Sequence, residues 1–155
     1  MRWFLVDRVT AFEKGVRAAG VKNVTLTDGV LHDHFPDHPI LPGVLVIEAL
    51  AQLGGFLIEA SGVPHDHRAI LVGVDRAKLS APARPGDQIE LEARIASRLD
   101  LAAQIDAEAR IAGQRAVKAT LTFILKPVES ARVHEQRKSL YALWTRDLVP
   151  PVELA

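Results

Sequence analysis

His34 and Glu48 are the residues of this 155-residue chain whose types and setting best support acid–base chemistry. His34 heads the loop HFPDHPILPG, in which prolines recur at 36, 39 and 42. Each proline fixes its own φ and pushes the preceding residue toward extended geometry. The loop is therefore stiff, and the imidazole has a defined direction. Pro42 suits the first turn of a helix, where a missing N–H costs nothing. From Gly43 to Ile58 only Glu48 and Gln52 are strongly polar; four apart, they share one helix face. A helix apolar on every side is a buried helix, and a carboxyl group inside it must be paired or held protonated. A histidine near neutrality accepts a proton. The amides that open a helix, here those of Gly43 and Val44, can hold a developing oxyanion. A sheltered carboxyl can donate a proton. Base, oxyanion site and acid are what proton abstraction beside a carbonyl requires, followed by loss of a β-hydroxyl. The competing reading is a Glu48 that faces water at an edge and has no chemical task.

The elements that must position these groups follow from pattern. Phe4 to Phe12 reads as a strand, Glu13-Lys14-Gly15 as a tight turn, and Val16 to Leu26 as a returning strand. Thr27-Asp28-Gly29 reads as a loop or a short helix start. The central helix runs from Gly43 to a stop near Ser61-Gly62-Val63-Pro64. Arg68 to Leu79, with Ile70, Val72 and Val74, reads as a strand, and APARPGD (Ala81 to Asp87) as turn punctuation. Three alternating strands follow. Ile89, Leu91, Ala93 and Ile95 share a face of the first, and Ala103, Ile105, Ala107, Ala109 and Ile111 a face of the second. Val117, Ala119, Leu121, Phe123 and Leu125 line one face of the third. One-faced alternation is the signature of antiparallel strands with a core side and a wet side. Ser130 to Arg146 reads as a C-terminal helix with Leu140, Leu143 and Trp144 on one stripe, stopped by Pro150-Pro151. The class is α+β: about six antiparallel strands wrapped around one buried helix, an arrangement that resembles the hot-dog fold.

Bulk properties narrow the function. The chain is 48% hydrophobic and 25% charged, with 19 basic and 19 acidic residues. That is globular composition with enough apolar material for a core, and a length that argues for one domain. A near-zero net charge without a basic run gives no nucleic-acid footprint. There is no cysteine, which removes disulfides and thiolate metal sites and fits a cytoplasmic location. The opening MRWFLVDRV lacks the pattern of a signal peptide. The central apolar run is broken by a carboxylate and by Gly54-Gly55, which argues against membrane insertion.

The motif HFPDHPILPGVLVIEALAQ, together with Lys22-Asn23-Val24, the opening LVDRV and VDRAKLSAPARPGDQIELEA, resembles the FabZ-type 3-hydroxyacyl-acyl carrier protein dehydratases over roughly residues 3 to 125. The resemblance implies a catalytic pair at His34 and Glu48, with the Gly43 amide at the thioester carbonyl and Gln52 holding the glutamate carboxyl. It also implies a homodimer whose sites draw the two residues from different subunits, with trimers of dimers common among such proteins. The substrate would arrive on the phosphopantetheine arm of acyl carrier protein, with no metal or redox cofactor. The hot-dog domain would span residues 1–129, with 130–155 a helical extension packing on it. Two features depart from the family pattern. Asp37 stands where glycine usually follows Phe-Pro, a place an aspartate tolerates better than most residues, and the C-terminal helix exceeds the family core.

Three other readings compete. A hot-dog acyl thioesterase would share the fold but usually lacks the His-Phe-Pro loop. A non-catalytic acyl-binding module would have no need of both His34 and Glu48. His32, His34 and His38, and the pair His65 and His67, raise the question of a metal. The HDHFPDH run, however, is one residue too long for the hydrolase pattern it approaches, and solvated loop histidines are the simpler reading. Arg76, Lys78 and Arg84 could meet an acidic carrier protein or merely form a solvated face.

Overall fold

The computed structural model describes residues 3–153. Strands β1 (Arg8–Glu13) and β2 (Arg17–Asn23) form a hairpin, closed by Val16 N donating to Glu13 O and by Gly15 at φ 74°. A single 3₁₀ turn, Gly29–Leu31, leads into the His34 loop and then helix α1 (Gly43–Glu59). Strands β3 (His67–Leu79), β4 (Gln88–Leu99), β5 (Ala102–Ile111) and β6 (Gln114–Pro127) follow, and helix α2 (Ala131–Trp144) closes the chain.

All six strands lie in one antiparallel sheet of order β1-β2-β4-β5-β6-β3. The alternating residues behave as their period dictates. Ile89, Leu91 and Ala93, then Ala103, Ile105, Ala107 and Ala109, then Val117, Ala119, Leu121, Phe123 and Leu125 are all buried. Helix α1 packs across this face and touches β2 through β6. The many alanines allow that close approach. Gly20 serves the hairpin in the same way: a Cβ there would come within 2.8 Å of the Arg8 carbonyl oxygen.

Four expectations need correction. The first strand begins at Arg8, not Phe4. Residues 3–7 instead run past α1, with Leu5 N donating to Gln52 Oε1 at 3.0 Å. The second strand stops at Asn23, where Val24 N turns away to Asp87 O and Thr25 N to Asp28 Oδ2. Helix α1 is not buried all round: Val44 is 66% exposed and Glu48 is exposed as well. Of the expected α2 stripe, Trp144 is buried and Leu140 packs against the core, but Leu143 is 56% exposed. Tyr141, outside that stripe, is buried as well, and it and Trp144 sit edge-on to Phe56 at centroid distances of 5.0 and 6.4 Å.

Strand β3 is an edge strand, paired only with β6. Its Ile70, Val72 and Val74 are exposed. The chain therefore presents a long apolar strand edge beside the exposed stripe of α1.

Candidate active site

The His34 loop is built by reciprocal backbone hydrogen bonds. Phe35 N donates to His38 O and His38 N to Phe35 O, and Ile40 N returns to His34 O. Asp37 occupies the left-handed region at φ 60°, and the His34–Phe35 peptide bond is cis. The imidazole stacks on the Phe35 ring at 4.2 Å. His34 Nδ1 lies 2.9 Å from Ile40 O. A carbonyl oxygen only accepts, so Nδ1 carries the hydrogen and Nε2 keeps its lone pair. The loop thus selects the tautomer of a base.

Leu41 N donates to Ala83 O, tying the loop to the APARPGD turn. His34, Gly43 and Val44 line one cavity of about 400 Å³ with residues 79–83. The first amides of a helix have no intrahelical partner, so the base and the helix-opening donors share that space. Glu48 and Gln52 do not line it. They lie in a second cavity of about 870 Å³, lined also by Trp3, Ala69, Ile70 and one face of α2. Within the single chain His34 lies with Gly43 and Glu48 lies with Gln52, in two separate places.

Glu48 receives a 3.0 Å hydrogen bond from Gln52 Nε2. The same nitrogen donates to Trp3 O at 2.9 Å, and Gln52 Oε1 accepts from Leu5 N. Sequence reading passed over Glu59, at the far end of the second cavity. Its side chain is 6% exposed. It accepts from Ala69 N and from Tyr141 Oη, both at 2.9 Å, and pairs with Arg68 at 3.8 Å. Burial and the adjacent Glu59 carboxylate push the Tyr141 phenol well above its ordinary pKa. No spacing rule joins positions 59, 68 and 141, so nothing in the sequence signalled this cluster.

His32, His38, His65 and His67 line neither cavity. His67 Nδ1 sits 2.8 Å from Asp66 Oδ1, and that hydrogen bond holds the Asp66 carboxyl below its usual range. Among the described residues no group of three or more His, Asp or Glu side chains converges to hold a metal ion.

Sheet order, central helix and loop together define an α+β protein of the hot-dog fold. Solved structures share that fold at low sequence identity. The Streptococcus mutans protein smu.793 bound to acetyl CoA matches with TM-score 0.65 and 18% identity, over 84% of this chain and 96% of that one. The dehydratase heterocomplex ApeI:P from Xenorhabdus doucetiae matches with TM-score 0.64 and 15% identity, over 86% and 90%. Sequence relatives are nearer. The FabA-like domain matches residues 2–120. The Bacillus velezensis 3-hydroxyacyl-acyl-carrier-protein dehydratase FabZ is 37% identical over 79% of this chain and 87% of its own length. The Nitrosospira multiformis FabZ is 41% identical over 81% and 88%. The chain belongs to the FabA-like family, among the FabZ dehydratases.

Proposed function

We propose that the chain dehydrates a (3R)-3-hydroxyacyl thioester of acyl carrier protein to the trans-2-enoyl thioester. The observation that carries the chemistry is the His34–Ile40 hydrogen bond, which leaves Nε2 free as a base. His34 Nε2 takes the C2 proton while the Gly43 amide, with Val44 beside it, holds the enolate-like oxygen. The C2=C3 bond forms as the C3–O bond breaks, and Glu48 delivers a proton to the departing hydroxyl, directly or through a water. The products are the enoyl thioester and water, and proton transfer between the two residues resets the site. No step calls on a metal or a redox cofactor. The phosphopantetheine arm belongs to the substrate.

The separation of His34 from Glu48 supports a homodimer in which each site takes its base from one subunit and its acid from the other. A long exposed apolar edge on β3, beside the exposed stripe of α1, is a ready surface for such pairing. Assembly into trimers of dimers and a cytoplasmic location complete the proposal. No helix among the described residues is long and apolar enough to cross a membrane. Arg76, Lys78 and Arg84 are exposed, and Arg84 lies in the APARPGD turn, next to the residues that wall the His34 cavity. They are the proposed contact for an acidic carrier protein.

The test is enoyl absorbance on incubation with a 3-hydroxyacyl thioester. Enoyl formation is expected; release of free thiol would indicate a thioesterase, and neither signal a binding module. His34→Ala and Glu48→Gln should each abolish turnover while leaving the fold intact. Mixing the two inactive variants under exchange should restore activity, because a mixed dimer holds one complete site. Near-normal rates in either variant would overturn the role assignment, and a mixture that stays inactive would overturn the shared site.

A further inference from the structure

The second cavity is more than a setting for Glu48. Trp3, Phe4, Ile70, Val133 and Leu143 are large exposed hydrophobics, and all of them line it. Apolar surface gathered on one concave face marks a binding groove rather than scattered exposure. One wall is α2. That helix buries Tyr141 and Trp144 against the core, and it walls the groove with the apolar Val133, Leu140, Leu143 and the Tyr141 ring beside the polar Glu135, Gln136, Arg137 and Ser139.

The wall is anchored along its length. Tyr141 Oη donates to buried Glu59 at the end of α1. Arg68 of β3 donates to His134 Nδ1, and His134 Nε2 donates to Val128 O at 2.7 Å. Ser130 caps the helix by accepting from Val133 N. The FabA-like match ends at residue 120, so α2 is built from residues outside it.

We infer that the Val133–Leu140–Leu143 face of α2 determines which acyl chains this protein accepts. The inference rests on the dehydratase reading, since Glu48 fixes where C3 of the substrate must lie. From Glu48 the rest of the acyl chain runs along the groove, against Ile70 on one side and α2 on the other. A cavity of about 870 Å³ is at the upper end of those that take drug-sized ligands. Its occupant is an aliphatic acyl chain well beyond a butyryl group, and the α2 side chains set where it ends.

The test is the ratio of kcat/KM for 3-hydroxydecanoyl over 3-hydroxybutyryl pantetheine thioesters. Leu140→Trp narrows the groove and should lower that ratio by roughly tenfold or more, given what a few methylenes are worth in an apolar pocket. Leu143→Trp, at a more exposed position, should lower it too and stands in if the first variant folds poorly. Arg132→Trp, on α2 but outside the groove, should leave the ratio unmoved. Enoyl formation with the same ratio in all variants overturns the inference alone. A changed oligomer mass in the groove variants also overturns it, since a second copy would then be what covers this face. Absence of enoyl product from the unmodified protein at either length overturns the dehydratase reading and the inference with it.

Discussion

Gln52 Nε2 donates to Glu48 Oε1 at 3.0 Å and, with its other hydrogen, to Trp3 O at 2.9 Å. Its carbonyl accepts from Leu5 N. One amide therefore couples the carboxyl of α1 to the segment that precedes β1. Gln52→Ala should free the Glu48 side chain and lower kcat by up to about a hundredfold, the cost of a misplaced catalytic group. Gln52 is a positioning residue, so kcat should fall more than KM rises. A lowered melting temperature with unchanged kcat would mean that Gln52 only holds the N-terminal segment in place.

Tyr141 is the only tyrosine, so tyrosinate absorbance reports it alone. Its folded pKa is raised well above the ordinary value of 10.0, chiefly by burial and then by Glu59. The sign follows from linkage. The folded state keeps its proton at a pH where the unfolded chain has lost it. Stability from this group is therefore complete below the ordinary value and is lost as pH rises through the folded one. An alkaline titration should show tyrosinate only as helical circular dichroism falls. Ordinary titration of a still-folded protein would contradict the burial of Tyr141.

Asp37 stands at φ 60° in the His34 loop. The left-handed region costs an ordinary L-residue about 1–2 kcal/mol, and glycine nothing. Asp37→Gly should fold and turn over substrate normally. Asp37→Val should lose about 1–2 kcal/mol in urea unfolding and lower activity, since the strain falls on the loop that aims His34.

A Cβ on Gly43 would run into Leu79 Cδ2. Leu79 is an exposed side chain that lines the His34 cavity, so it can swing aside, and its displacement reshapes the space beside His34. Gly43→Ala should therefore fold while kcat/KM falls. Adding Leu79→Ala should restore part of the loss. If the double variant is no better than the single, crowding by Leu79 is not the cause of the loss, since alanine keeps the amide N–H.

Val72 is exposed on the β3 edge. A charge on such an edge blocks strand-to-strand pairing. Val72→Lys should halve the mass measured by light scattering and abolish turnover together. An active monomer would remove the shared site.

Strand periodicity was legible because one face of each strand is wet and the other lies under α1, and that contrast writes a period of two into the residues. Ile89 to Ala93 and Val117 to Leu125 show it most clearly. The same logic misjudged the first strand and α1. Trp3 to Asp7 carry strand-forming residues but lie beside a helix, and apolar character alone cannot say which. Val44 reads as part of a fully buried helix, yet it is 66% exposed on this chain. An apolar residue reads the same whether its neighbour is its own sheet or another chain.

The sequence by itself determined which side chains can act. His34 on its proline-stiffened loop, the amides after Pro42, and Glu48 with Gln52 on one helical face are consequences of local geometry and spacing. Tertiary structure alone decided where they stand relative to one another. His34 shares a cavity with Gly43 while Glu48, further along the same helix, lines another, and the packing of β3 and α2 on the end of α1 brought Glu59, Arg68, His134 and Tyr141 together from three separate elements. Spacing along a chain constrains neighbours within a few turns or strands. Contacts between distant segments depend on how the sheet folds over α1, and that is a property of the whole packed core.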